Sequence, residues 1–74
     1  MFPAEVANRI IDGEVPLKVI REWRGLTQAR LAGDAMVAVI YISQIERGAR
    51  QLGLAAARKL APALGVKVET LLDL

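Results

Sequence analysis

The sequence predicts a single all-α domain of five helices, or six with a short terminal turn, spanning 1–74, and three observations predict it. Glycine and proline divide the chain into short segments at Pro3, Gly13, Pro16, Gly25, Gly48, Gly53 and Gly65. Within the segments, apolar residues recur at spacings of three and four, the period of one helix face. The one strand-like run, VAVIYI at 37–42, has no second such run to pair with, and a lone strand is not stable. It is therefore assigned to a helix.

Taken in order, Pro3 suits a first helical turn and Gly13 a stop, giving a helix over about 3–12 with Val6, Ala7 and Ile10 on one face. A connector leads to a second helix from Pro16 to about Arg24, with Leu17, Ile20 and Trp23 inward and Gly25 as its stop. Thr27 is a good N-cap for a third helix over about 28–34, with Leu31 and Ala32 inward and Gln28, Arg30 and Asp34 outward. A turn at 35–37 precedes a fourth helix over about 38–47, where Val37, Ile42 and Ile45 pack inward. The fifth helix, about 54–64, presents Leu54, Ala57, Leu60, Ala61 and Leu64 on one side. Pro62 removes an amide there and is expected to bend it. Finally, 68–72 is a helical turn that returns Leu71 and Leu72 to the core.

Composition narrows the chemistry. Without cysteine or histidine, thiol nucleophiles, histidine bases and the usual zinc sites are excluded. Ser43 and Thr27 have no base to activate them, and the carboxylates show no spacing that suggests an acid–base pair. No catalytic function, cofactor or metal is expected. A net charge of +2, from ten positive and eight negative residues, permits nucleic-acid contact without arguing for it. The uncharged run 35–45 is far short of the roughly 20 residues of a membrane span. Glu5 sits where an export signal would be basic and then apolar, so a cytoplasmic protein with no membrane partner is expected.

Two short helices joined by about three residues, the second ending at Gly48, have the spacing of a helix-turn-helix over about 27–47. The words REWRGLTQARLA at 21–32, YISQIERG at 41–48 and ARKLAPALGV at 57–66 resemble the helix-turn-helix domains of Cro/CI-type (XRE) regulators. The opening, FPAEVANRIIDGEVPLKVIREWRG, further resembles small antitoxin-like members that accompany RelE/ParE-type toxins. The resemblance implies that Gln28 contacts phosphate and props the recognition helix. It also implies that 38–47 is that helix, that Ser43, Gln44 and Arg47 follow along its groove-facing side, and that Arg50 lies near phosphate. Glu46 and Arg47, an adjacent pair, are expected to be solvated.

The chain departs from the family where bases would be read. Hydrogen-bonding readout in the major groove needs donors and acceptors, yet the first exposed positions of the recognition helix are Ala38, Val39 and Ile40. Ala38 forfeits an N-cap at a cost of about 1 kcal/mol. Met36 stands where glycine would take a left-handed conformation. Gly33 inside a helix costs about 1 kcal/mol relative to alanine. Gly33, Asp34, Met36, Ala38, Val39, Ile40, Ala49 and Leu52 all fall on or beside the expected DNA face, and each loses a polar group, gains apolar area or makes room. With Tyr41, which is also expected to share in the core, they suggest an apolar patch of roughly a few hundred Å2, the size of an interaction site. The expectation is therefore a protein-binding module. Its DNA face would be replaced, by engineering, with a surface for another copy or a different protein, leaving at most weak DNA contact. The alternative is a DNA-binding transcriptional regulator or antitoxin.

Overall fold

The computed structural model describes residues 2–72, and among them the secondary structure is entirely helical. Six helices run in order: α1 (Ala4–Ile11), α2 (Pro16–Trp23), α3 (Gln28–Ala35), α4 (Val39–Glu46), α5 (Leu54–Leu64) and α6 (Val68–Leu72). The strand alternative at 37–42 is excluded, because residues 39–42 lie inside α4.

The core is built from the inward stripes that helical spacing selects. Leu17 and Ile20 from α2, Leu31, Ala32 and Ala35 from α3, and Ile42 and Ile45 from α4 meet Leu60, Ala61 and Leu64 of α5 and Leu71 of α6. No residue that is buried as a whole is polar or charged among those described, although the side chain of Glu46 is only 4% exposed. Helix α5 packs against both α3 and α6, while α2 packs against α1, α4 and α6. The α3–α4 corner is thus supported from beneath by α5 and α2.

Local chemistry sets the helix ends. Pro16 opens α2 at a position whose amide has no intrahelical partner in any case. The Thr27 hydroxyl accepts a hydrogen bond from the Arg30 amide at 3.0 Å and caps α3. Arg24 closes α5 from a distance, its Nε donating to the Leu64 carbonyl at 2.8 Å. Its guanidinium lies 4.3 Å from the Trp23 ring centre, and Phe2 meets Trp23 edge-on at 5.1 Å. Trp23 is consequently a rim residue, 36% exposed, and not a core one.

One expectation for α5 is corrected. Leu54 is 50% exposed. It is the first residue of the helix, and Cα–Cβ bonds tilt toward the N-terminus, so its side chain points off the end. The helix runs through Pro62 to Leu64 and closes on Gly65 at φ 70°, at the bounds its spacing predicts. Pro62 falls in the final turn, where only one amide bond, to the Arg58 carbonyl, is forgone.

Candidate nucleic-acid interface

The α3–α4 corner turns on a single left-handed residue. Met36 adopts φ 58° and ψ 46°, and its amide approaches the Gly33 carbonyl at 3.4 Å. It is the one non-glycine residue with positive φ among those described. The expected glycine-like geometry is therefore present on a residue with a Cβ, which costs roughly 1–2 kcal/mol. Its side chain is 83% exposed. Ala38 then opens α4 with no side-chain cap.

Helix α4 has two faces. Ile42 and Ile45 are buried, and Val37 packs half-buried against the same core. On the other side Val39 is 44% and Ile40 60% exposed. Ser43 and Gln44 are half-buried below them and Arg47 is exposed. The outward stripe is thus apolar in its first turn and becomes polar and then cationic toward its end. The Gln44 Oε1 accepts from the Arg50 Nη1 at 3.5 Å, and the Arg50 guanidinium lies 5.0 Å from the Tyr41 ring centre.

Not every residue expected on the apolar patch is free surface. Met36, Ala38, Val39 and Ile40 are exposed around the corner, Gly33 and Asp34 on α3, and Ala49 in the following loop. Asp34 is paired with Arg30 at 3.0 Å. Tyr41 and Leu52 pack against the core instead. Tyr41 is held because its hydroxyl accepts from the Gly53 amide at 3.2 Å. Leu52 folds back beside Leu17 and Ile45.

Sequence reasoning missed the device that fixes the corner. The Glu46 carboxylate is not solvated: its side chain is 4% exposed, and it pairs with Arg21, 12% exposed, at 2.7 Å. Both carboxylate oxygens accept from Arg21, a two-pronged arrangement that fixes geometry as well as charge. A further nitrogen of Arg21, Nη1, donates to the Leu26 carbonyl at 2.7 Å. The Gln28 amide donates to Glu46 Oε1 at 3.1 Å, so Gln28 props α4 through Glu46. The hydrogen bonds to Glu46 hold Arg21 more firmly protonated than an isolated arginine. A signal existed: Glu46 follows Ile42 by four residues and Arg21 follows Leu17 by four, which places both beside the inward stripes.

Lys59 also went unnoticed. It lies beside an open groove with Met36, Ala38, Tyr41 and Gly53, which adds a cation next to the corner. No helix among the described residues is long and apolar enough to cross a membrane.

Comparison with known proteins agrees with this geometry. A family model described as helix-turn-helix matches residues 17–71. A curated relative, the HTH-type transcriptional regulator DdrOP3 of Deinococcus deserti, is 37% identical over 57 residues, covering 77% of this chain and 44% of that protein. The chain therefore spans less than half the length of that relative. No solved structure matches. These matches overturn the expected protein-binding module with a replaced DNA face, which rested on eight positions on or beside that face together with Tyr41. The motif, the buried brace behind it and the match over most of the length agree: this chain belongs to the helix-turn-helix family, of the XRE type, and is not an enzyme.

Proposed function

We propose that the chain is a DNA-binding domain of a transcriptional regulator, with α4 as the helix that enters the major groove. One observation carries this: α4 turns a face outward that its own core does not use, graded from Val39 and Ile40 to Arg47. The regulator name of the 37% identical relative supports it. In this arrangement Arg47, Arg50 and Lys59 supply phosphate contacts that set affinity and orientation, while residues of α4 lie against base edges. Gln28 adds a polar group at the start of α3, positioned by Glu46. Ser43 and Gln44 are the hydrogen-bonding side chains of the outward stripe. The antitoxin expectation rested on the opening of the chain, of which the family match covers only residue 17 onward, so the regulator is carried forward.

The test is fluorescence anisotropy of labelled duplex titrated between about 50 and 200 mM salt. Two or three cations displacing counterions give a logarithmic slope of about −1.8 to −2.7, an affinity loss of roughly 10- to 40-fold over that range. Absence of binding at about 100 μM protein, or affinity that ignores salt, would overturn the proposal.

A further inference from the structure

We infer that the first turn of α4 reads the C5-methyl groups of pyrimidines, so that the duplex it prefers is one with methyl-bearing bases, ordinarily thymine, at adjacent positions. This rests on the DNA-binding role proposed above and specifies what that face recognises.

The exposed side chains there, Val39 at 44%, Ile40 at 60% and Met36 at 83%, with Ala38 as the uncapped opening residue, offer no hydrogen-bond donor and no acceptor beyond the weak thioether of Met36. In helix-turn-helix docking, the N-terminal residues of the recognition helix meet base edges. The major-groove edge presents donors and acceptors at every base pair but one apolar group, the thymine methyl. An apolar side chain pressed against a polar edge would leave that edge without its water and without a substitute. Against a methyl, both partners lose apolar area to water, which is favourable. The same first turn is therefore a penalty at G·C pairs and a gain at A·T pairs. Val39 and Ile40 are consecutive, and a helix rises about 1.5 Å per residue against about 3.4 Å per base pair. Neighbouring base pairs are thus within reach of the two side chains. The rest of the outward stripe, Ser43, Gln44 and Arg47, keeps its polar contacts further along the groove.

Burying one methyl-sized group corresponds to about a fourfold change in affinity, so two contacts give on the order of tenfold. The experiment selects duplexes with a random 20-base-pair core on the intact chain, then rebuilds the preferred sequence four ways at the mapped positions. These carry thymine, deoxyuridine, cytosine paired with guanine, or 5-methylcytosine paired with guanine. The expected order is thymine first, 5-methylcytosine next, and deoxyuridine and unmethylated cytosine about tenfold weaker than thymine. The variant Val39→Ala with Ile40→Ala is expected to lose the thymine-to-deoxyuridine ratio while keeping the salt slope. Equal affinity for thymine and deoxyuridine, or for cytosine and its methylated form, overturns methyl readout alone provided the salt slope persists. A pool that binds without salt dependence, or never binds, overturns the DNA-binding role and this inference together. A ratio unchanged in the double variant assigns the methyl contact elsewhere and overturns the role of this turn.

Discussion

Replacing Glu46 by alanine tests whether the corner is held as described. The substitution leaves the Arg21 guanidinium, only 12% exposed, without its carboxylate, and leaves the Gln28 amide without its acceptor. Removing one partner of a buried ion pair costs about 3–5 kcal/mol, because the remaining charge is uncompensated. A domain of 74 residues has a total stability of about 4–11 kcal/mol at typical values per residue. The variant should therefore be close to unfolding, with a urea midpoint lowered by about 1 M or more when followed by circular dichroism. A loss under about 1 kcal/mol would refute the brace. The companion is Arg21→Met with Glu46→Leu, which removes both charges and should recover most of the stability, since apolar replacements of buried pairs are often near neutral. Recovery should stop short of complete, because the Leu26 carbonyl loses the donor 2.7 Å away. DNA affinity in this double variant should stay low, since Gln28 no longer has a fixed partner. Affinity equal to the parent would show that Gln28 positioning does not matter.

Other outcomes follow from the corner and from the α1–α2 surface. Gly33→Ala should raise stability by about 1 kcal/mol in urea unfolding, because a Cβ there meets nothing within 4 Å and the helix gains a better former. Met36→Gly should add roughly 0.5–1 kcal/mol, the left-handed penalty relieved less the entropy of glycine; a loss would mean that the Met36 side chain packs in a way its 83% exposure denies. Val39→Gln with Ile40→Ser should leave the urea midpoint nearly unchanged, within about 1 kcal/mol, since both side chains point outward. Acid should weaken the junction of α1 and α2. Arg9 donates to Glu14 at 2.8 Å and to Glu22 at 2.7 Å, and these hydrogen bonds hold both carboxyls below their ordinary value of 4.5. A lowered folded-state value means that the contribution is complete above the ordinary value and is lost as pH falls through the lowered one. Urea midpoints measured from pH 6 to pH 3 should fall less steeply in Arg9→Ala, and identical slopes would sink the assignment.

Helix placement was legible because one physical quantity, the burial of a stripe at three- and four-residue spacing, sets it. Leu17, Ile20, Leu31, Ile42, Ile45, Leu60 and Leu64 are all buried as that spacing demands. The same rule misleads at helix ends, where Leu54 has the right spacing and nothing above it. It is silent on contacts between distant segments. Arg24 closes α5 from forty residues away, and Arg21 meets Glu46 across twenty-five; neither leaves a local signature beyond its position next to an apolar stripe. The function was misjudged for a different reason. Apolar residues on a reading helix remove hydrogen-bonding readout, but they do not remove the cations at Arg47 and Arg50 or the corner geometry, and in the role proposed above cations supply affinity without base contacts. Within the run at 36–42, Val37 and Ile42 pack inward as their spacing demands, and Tyr41, expected both in the patch and in the core, belongs to the packed side.

The weak points of the fold and its outward face coincide. Gly33, Met36 and the uncapped Ala38 each cost on the order of 1 kcal/mol; Gly33 lies in the last turn of α3, Met36 ends that helix and Ala38 opens α4. Together they remove about 3 kcal/mol from a total that is itself only about 4–11 kcal/mol. The inward stripe and the Arg21–Glu46 pair secure the far end of α4, so this loss acts on its first turn. A ligand that binds only the folded corner restores stability by mass action, about 2.7 kcal/mol at a hundredfold excess over its dissociation constant. DNA at that concentration would nearly cancel the deficit, and if ordering of this turn is part of the cost of binding, Met36→Gly with Gly33→Ala should bind more tightly, so that the gain at a fixed DNA concentration grows. Hydrogen exchange at the amides of Tyr41 and Ile42, which donate to the Ala38 carbonyl and close the first turn, gives the direct measure. Fast exchange in the free chain that slows on duplex and slows equally in the stabilised variant without duplex would tie the two together; slow exchange in the free parent would separate them.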